Sequence, residues 1–462
     1  MKLDKLLAMS AYAVQALATL GLVFAVSRLL SGAEYGHYSL IVASAQSASV
    51  LAFEWVRLAA SRFCSNVEAH DTRFRKDTIQ AAFAGAALTL VALAGGAAVV
   101  GALSYGAIGL GLLVALLIGI TDLLLVFLRA QGSFNQFALL QTVRAFTLLG
   151  SSVLGAFWGR TATSALMGLC AGYAITLLAY VFAAPSWWQW RSGHVRAALF
   201  KEMAVYGVSV AAASNLHLQV PLLIRWIGKF FLSADGFAGL SFAMDVLQKP
   251  FALVTTAVGG VLTPGVIVEF EKAQDPRSPK LKQLYEVQLW CVCLLLGLAL
   301  AFIPELSGLI SPSLRPWLLL FGPPVALVFA MHTLIQTTIA IPGHLLHMGR
   351  RLIVNAAFEL GVIALCSGGA LYLAELRPIA WLWLGVLATS LSIAFAFPLL
   401  MRVPCKRPVE AIYLGCGTAV VLALLYFARL DSLLLSILAK GVVVACISAA
   451  GLWLYRPYLL KK

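Results

Sequence analysis

Residues 105–129 read YGAIGLGLLVALLIGITDLLLVFLR. The run is apolar apart from Thr121 and Asp122, and it ends at Arg129. Its length exceeds the roughly 20 residues that an α-helix needs to cross the hydrocarbon core of a bilayer. We therefore predict a transmembrane helix that carries one carboxylate within the membrane. Ionisable groups at this depth are costly and mark functional sites.

Runs of the same kind cover the whole chain. Of its 462 residues, 61% are hydrophobic and only 11% are charged, so a water-soluble core could not bury the apolar surface. We predict an all-α integral membrane protein with about 14 transmembrane helices. The predicted spans are residues 7–30, 36–60, 79–101, 105–129, 135–158, 161–183, 200–228, 236–264, 283–303, 315–341, 351–374, 377–400, 408–428 and 432–455. They leave no room for a soluble catalytic domain.

Basic residues fix the expected orientation of these helices. With the N-terminus in the cytoplasm, about 22 basic residues fall on the cytoplasmic side and about 7 on the other side. We therefore predict that both termini are cytoplasmic. The loop charges also account for the net charge of +14. They indicate membrane lipids as partners, since they meet anionic headgroups, and we predict no nucleic-acid partner.

The sequence lacks the motifs of cofactor, metal and catalytic sites. The eight cysteines form no CxxC pair, and no GxxxxGK[ST] phosphate-binding loop is present. Neither HExxH nor GxSxG is found. We therefore predict no cofactor, no metal site and no enzymatic activity.

Two segments of the chain resemble each other. Residues 30–39 read LSGAEYGHYS and residues 232–241 read LSADGFAGLS, and both connect two long spans on the predicted outer side. A repeat of this kind predicts two six-helix lobes with a cavity at their interface. The expected organisation is a first lobe over 1–186, a cytoplasmic linker over 187–200, a second lobe over 201–403, and two further helices within 404–462.

Several charged side chains lie within the predicted spans. They are Glu54, Arg57, Asp122, Arg144, Asp245, Lys249, Glu359 and Lys440, with Arg225 near the outer end of the seventh span. The spacing lets Glu54 meet Arg57 and Asp245 meet Lys249 on one helix face. Such a pair either neutralises itself in a helix interface or offers its cation to an anionic ligand. Arg144 needs a partner on another helix, either Asp122 or an anionic ligand. Lys440 is expected to extend its amine to the membrane surface.

Four segments together resemble a known family. Residues 28–39, RLLSGAEYGHYS, resemble the end of the first span of polysaccharide flippases. These are the Wzx-like members of the multidrug/oligosaccharidyl-lipid/polysaccharide exporter superfamily. FEWVRL at 53–58 and AMDVLQKP at 243–250 are similar to the second-span and eighth-span patterns, and RAQG at 129–132 with Arg144 matches the fourth-to-fifth span region.

The resemblance implies a specific transport activity. Such flippases move undecaprenyl-pyrophosphate-linked sugar repeats from the inner to the outer leaflet of a bacterial inner membrane. They work by alternating access around a cationic cavity. The expected partners are a lipid-linked oligosaccharide, a polysaccharide polymerase and a chain-length regulator. The chain departs from the family pattern at Ser31-Gly32, where Gly-Pro is usual, and at Arg225, which lacks the adjacent acid.

The expected roles of the charged residues follow from this activity. We expect Arg57, Arg144 and Lys249 to hold the pyrophosphate, with Arg57 and Lys249 facing each other across the cavity. We expect Arg28 and Arg225 to lie along its outward exit. The carboxylates expected to support these cations, or to carry a coupling proton or sodium ion, are Glu54, Asp122, Asp245 and Glu359.

Two alternative functions remain open from the residues alone. A multidrug exporter of the same superfamily favours a carboxylate in the first span, where this chain has only Gln15. A membrane glycan polymerase or ligase favours a sizeable outer loop, and all the predicted outer loops are short.

Overall fold

A computed structural model describes residues 3–64, 69–99, 105–183, 195–252, 279–345 and 435–447, with isolated positions at 357, 360–361, 385, 417 and 425. These ranges contain helices and no strand. The helices are α1 (Leu3–Leu29), α2 (Gly32–Phe63), α3 (Ala69–Val99), α4 (Tyr105–Ala130), α5 (Phe134–Gly159), α6 (Ala162–Ala183), α7 (Ala197–Leu218), α8 (Val220–Phe231), α9 (234–252), α10 (Pro279–Gly308), α11 (Arg315–Leu345) and α12 (Leu435–Ile447).

The predicted fold class is confirmed. Within the described ranges, eight helices are long and apolar enough to cross a membrane: α1 to α6, α10 and α11. The predicted spans at 351–374, 377–400 and 408–428 lie outside the described residues apart from the isolated positions, so the total of 14 stays a prediction.

The chain divides into two compact units, one before and one after the bond between Leu222 and Leu223. In the first unit, α5 packs against α1 and α6, and α2 packs against α3, α4 and α7. In the second unit, α10 packs against α11. The lobe boundaries expected at 186 and 201 stay a prediction.

The seventh predicted span, 200–228, is interrupted. Helix α7 ends at Leu218, Gln219 forms a turn, and α8 begins at Val220. The cause is Pro221, which has no N–H to donate and whose ring would clash with the carbonyl four residues earlier. Proline is tolerated in the first turn of a helix, so the chain resumes as α8 directly after the turn.

Both copies of the repeated segment cap a helix in the same way. In the first unit, Ser31 accepts a hydrogen bond from the backbone N–H of Glu34 at the start of α2. In the second unit, Ser233 accepts one from the N–H of Gly236 at the start of α9. Serine at this position satisfies one of the amides that a helix N-terminus leaves unbonded. The repeat is therefore present in local structure as well as in sequence.

Two other residues of the first copy of the repeated segment form hydrogen bonds to neighbouring helices. Glu34 Oε2 accepts a hydrogen bond of 2.5 Å from the backbone N–H of Ala162 at the start of α6. A carboxylate is favourable there because it faces the positive end of the helix dipole. Tyr38 Oη lies 3.3 Å from Ser152 Oγ on α5. Glu34 and Tyr38 thus hold the α1–α2 corner against α5 and α6.

Small residues let α5 and α6 pack very closely. A Cβ added to Gly168 of α6 would overlap the carbonyl of Ser151 and the Cα of Ser152 on α5. Ser152 Oγ donates a 3.1 Å hydrogen bond to the Ala165 carbonyl across the same contact. Close backbone approach of this kind stabilises helix pairs in lipid, where the hydrophobic effect does not drive association.

We expect Gly168→Val to lower the free energy of unfolding by about 1–3 kcal/mol or more, because the two backbones must separate. Gly150→Val on α5 is the matched control, since a Cβ at Gly150 meets no atom within 4 Å. Thermal unfolding of the purified variants in detergent measures the loss of stability in each. Equal melting temperatures for the two variants would contradict the proposed contact.

Candidate functional site

Four charged residues form one cluster in the first unit. Glu54 and Arg57 lie on α2, Asp122 on α4 and Arg144 on α5. Arg57 pairs through Nη2 with Glu54 Oε2 and through Nη1 with Asp122 Oδ2, the latter at 2.5 Å. Arg144 Nη1 lies 2.5 Å from Asp122 Oδ1. The expected pair Glu54–Arg57 is confirmed. Of the two partners considered for Arg144, the structure shows Asp122, which bridges the two arginines.

Local packing explains why α2 and α4 come close enough to form the cluster. Gly119 lies one turn before Asp122 on α4, and a Cβ there would overlap the ring of Phe53. Phe53 precedes Glu54 on α2 and is fully buried. The absence of a side chain at Gly119 therefore lets α2 approach α4, and the carboxylate of Asp122 reaches Arg57.

The cluster is electrically balanced and largely shielded. Two guanidinium groups face two carboxylates, and only 7% of the Arg144 side chain is exposed, against 25% for Asp122. The Arg144 guanidinium also lies over the Tyr173 ring, 5.4 Å from its centroid. Removing charges from water is expensive unless they are paired and hydrogen-bonded. An external anion can bind these arginines only if it displaces or shares their carboxylates.

Neutral polar groups continue the cluster along α5. Gln141, one turn before Arg144, donates a hydrogen bond to Gln15 Oε1 on α1. Thr147, one turn after Arg144, lies 3.0 Å from the Thr176 hydroxyl on α6. Residues three apart lie on one helix face, so α5 presents a polar stripe to α1, α4 and α6. Gln15 and Gln141 were visible in sequence as polar residues within spans, whereas Tyr173 and Thr176 were not singled out.

The second unit holds an ion pair of its own. Arg225 Nη2 on α8 lies 2.8 Å from Asp245 Oδ1 on α9, and 2% of the Arg225 side chain is exposed. The acid missing next to Arg225 in sequence is thus supplied by another helix. Lys249 lies one turn beyond Asp245 and is half-buried. Asp245 therefore has Arg225 as an ion-pair partner, in addition to being within helical reach of Lys249.

Counted from the serine that caps each helix, Arg57 and Lys249 lie at different distances along their helices. Arg57 follows Ser31 by 26 residues, and Lys249 follows Ser233 by 16 residues. At 1.5 Å per residue, the difference amounts to about 15 Å along a helix. Counting from the caps, the residue that corresponds to Lys249 is Ser47. That Arg57 and Lys249 face each other across a cavity stays a prediction.

Lys440 does not extend to the membrane surface as expected. Its Nζ lies 2.7 Å from Glu305 Oε1 and donates a 2.8 Å hydrogen bond to the Ala301 carbonyl, with 3% of the side chain exposed. Ser436 donates to the same Glu305 oxygen at 2.6 Å. A buried carboxylate on α10 provides a nearer partner than the headgroups do, so the amine stays within the helix contact.

Sequence reasoning missed Glu305 because the ninth span was ended at residue 303. In the structure, α10 continues through Pro304 to Gly308. The carboxylate consequently lies inside a helix rather than in a loop. The available signal was a carboxylate two residues after one predicted span, Glu305, and a lysine inside another, Lys440.

Two predicted site residues remain, Arg28 and Glu359. Arg28 lies in the last turn of α1 and is exposed. Glu359 lies outside the described residues. Among the side chains that the structure does describe, no group of three histidines, cysteines or acids could hold a metal ion.

The thiol of Cys64, at the end of α2, is buried. Only 3% of the residue is exposed. Burial raises the pKa of its thiol to about 12. The thiolate is the reactive form, so Cys64 is unreactive at neutral pH.

Comparison with known proteins identifies the fold. No protein-family model and no curated protein matches the chain. The chain is similar to the solved structure of the lipid II flippase MurJ in an inward closed conformation, with a TM-score of 0.64, 12% identity and coverage of 99% of both chains.

Transporter structures match as well. The chain is similar to a multidrug resistance MATE family transporter of the MOP superfamily in its inward-facing and outward-facing conformations. The TM-scores are 0.54 and 0.53, the identities 13% and 12%, and each match covers 86% of this chain and 94% of the transporter. The chain is thus an all-helical membrane protein with the fold of the lipid II flippase MurJ and of MATE transporters.

Proposed function

We propose that the protein is a flippase for lipid-linked oligosaccharides, in which the lipid carrier is joined to the sugar through a pyrophosphate. The observation that carries this proposal is the cluster of Arg57, Asp122 and Arg144 inside membrane-spanning helices. A pyrophosphate headgroup cannot cross about 30 Å of hydrocarbon without compensating charge. The fold shared with a lipid II flippase supports a substrate of this class.

The chemistry of the arginines suits such a headgroup. A guanidinium group offers paired N–H donors that match phosphate oxygens as well as carboxylates. In our proposal the pyrophosphate exchanges with Asp122 and Glu54 at Arg57 and Arg144, and Lys249 contributes a third cation. The carboxylates keep the cations paired when no substrate is present, which lowers the cost of burying them.

The proposal extends to the residues around this site. Arg28 and Arg225 lie along the outward exit, and Asp245 and Glu359 support the cations or carry a coupling proton or sodium ion. The two six-helix lobes, 1–186 and 201–403, alternate access to the cavity. The protein acts in a bacterial inner membrane with both termini cytoplasmic, together with a polysaccharide polymerase and a chain-length regulator.

Multidrug export is the second candidate, and the likeness to MATE transporters favours it. Cationic drugs require a cavity with an excess of carboxylates. The described cluster instead has as many arginines as acids. The match to the flippase also covers 99% of this chain, against 86% for the transporter. We therefore favour the lipid-linked substrate.

Single alanine variants test the proposed site in cells that lack the native protein. We expect Arg57→Ala and Lys249→Ala each to lower surface polysaccharide by about tenfold or more, as loss of a charge-assisted contact predicts. Arg129→Ala is the matched control, since Arg129 is exposed at the end of α4 and donates to Tyr12 Oη. Immunoblotting verifies the amount of each variant. Normal export by Arg57→Ala and Lys249→Ala at normal protein levels would show that the assignment is wrong.

A further inference from the structure

An open apolar groove lies between α2, α3 and α7 in the first unit, with a volume of about 580 Å³. Its walls include Ala48 and Trp55 on α2, Ala82, Gly85 and Leu93 on α3, and Phe200 on α7. Apart from the Trp55 indole, the polar side chain among the residues that line the groove is Thr89, which donates its hydroxyl to the Gly85 carbonyl within α3. The lining of the groove is therefore almost entirely apolar.

The groove opens toward the surrounding lipid. Gly85 is exposed, and 67% of the Leu93 side chain is exposed, on a helix that is long and apolar enough to span the membrane. An apolar surface at this depth is covered by hydrocarbon, since water cannot enter favourably and an empty space loses dispersion contacts. The occupant must therefore be a hydrocarbon chain.

The length of the groove matches one leaflet. Along α3 it extends from Ala82 to Leu93, 11 residues apart. At 1.5 Å per residue this distance is about 16 Å, close to half of the roughly 30 Å hydrocarbon core. A single acyl chain of a membrane phospholipid has this reach.

Positive charge lies at one end of the groove. Phe200 contacts the Trp55 ring edge-on there, with ring centroids 6.2 Å apart. Phe200 is the fourth residue of α7, where the chain enters the helix, and Lys201 follows it and is exposed. Arg196 is also exposed just before α7, against one exposed acid, Glu202. Basic residues at this level attract anionic headgroups.

We propose that this groove is a binding site for an anionic phospholipid, with one acyl chain between α2, α3 and α7 and the phosphate beside Lys201. The groove lies on the side of α2 opposite Arg57, since residues 48, 51, 52 and 55 share one helix face and Arg57 lies about 170° away from it. The site is thus distinct from the charge cluster. The bound chain braces α7 against α2, where a Cβ at Gly207 would overlap the Trp55 carbonyl.

Variants that place a larger side chain in the groove test the proposal. Gly85→Leu places a side chain in the groove without a clash, because a Cβ at Gly85 meets no atom within 4 Å. Gly96→Leu is the matched control on the same helix, equally free of contacts and outside the groove lining. Both variants gain the same helix propensity. Thr89→Leu fills the groove from the next turn and provides a second variant.

The measurement is the melting temperature of the purified full chain in detergent, with increasing dioleoyl phosphatidylglycerol or dioleoyl phosphatidylcholine. We expect phosphatidylglycerol to raise the melting temperature of the native chain and of Gly96→Leu. In Gly85→Leu and Thr89→Leu, we expect the lipid-induced rise in melting temperature to be at most about half of the native rise, because these variants bind the acyl chain more weakly. For Lys201→Gln, we expect about fivefold more phosphatidylglycerol at half-saturation, and no change with phosphatidylcholine.

Three results would overturn the proposal. The first is an undiminished response to phosphatidylglycerol in both groove-filling variants. The second is an equal response of the native chain to the two phospholipids. The third is a groove-dependent rise in melting temperature with undecaprenyl phosphate but not with phosphatidylglycerol, which would identify an isoprenoid chain as the occupant. None of these results depends on transport activity, so they neither support nor contradict the proposed function.

Discussion

Asp122→Asn is expected to lower the free energy of unfolding by about 3–5 kcal/mol, as breaking a buried ion pair does. The carboxylate of Asp122 gives one oxygen to Arg57 and the other to Arg144. Without it, Arg57 keeps Glu54, but Arg144 loses its carboxylate partner while only 7% of its side chain is exposed. Chemical unfolding in detergent, followed by tryptophan fluorescence, measures the change.

Two further variants separate this mechanism from general damage to α4. Glu54→Gln should cost less than half as much, because Arg57 retains Asp122. Adding Arg144→Gln to Asp122→Asn should restore about 2 kcal/mol, since the buried charge is then removed together with its partner. If the double variant is less stable than Asp122→Asn alone, Asp122 does not act by neutralising Arg144.

Lys440→Met, in the second unit, is expected to lower the free energy of unfolding by a similar amount, about 3–5 kcal/mol. The variant leaves Glu305 buried at 5% exposure, with Ser436 as its hydrogen-bond partner. Methionine retains the length and flexibility of the lysine stem, so little apolar packing is lost. Thermal unfolding of the purified chain measures the loss.

The double variant Lys440→Met with Glu305→Met provides the control. Replacing a whole buried ion pair by apolar residues of similar volume is often neutral or stabilising. We therefore expect the double variant to unfold within about 1 kcal/mol of the native chain. A loss equal to that of Lys440→Met alone would show that the effect does not come from leaving the Glu305 carboxylate buried without its partner.

Hydropathy predicted most of the described helices because span length and apolar composition are local properties. The run at 105–129 became α4, Tyr105–Ala130, and the first six predicted spans all became helices. Two predicted helix boundaries near prolines differ from the structure. Pro221 ends α7 inside a predicted span, whereas α10 continues through Pro304 beyond the predicted span end at residue 303.

The charge cluster was only partly predictable from the sequence. Glu54 and Arg57 lie three residues apart on one helix, so their pairing follows from helix geometry alone. The bridge from Asp122 to Arg57 depends on the close packing of Gly119 against Phe53. The pairs Arg225–Asp245 and Glu305–Lys440 likewise join residues on different helices. Helix packing, which a single sequence does not specify, decides these partners.

Leaflet transfer in proteoliposomes tests the central claim most directly. The probe is an undecaprenyl-pyrophosphate-linked fluorescent sugar, and a membrane-impermeant quencher reports the fraction in the outer leaflet over time. We predict transfer well above the rate in protein-free vesicles, slowed by Arg57→Ala and unchanged by Arg129→Ala. Transfer at the protein-free rate by a folded, inserted native chain would contradict the claim that these buried arginines move a lipid-linked pyrophosphate.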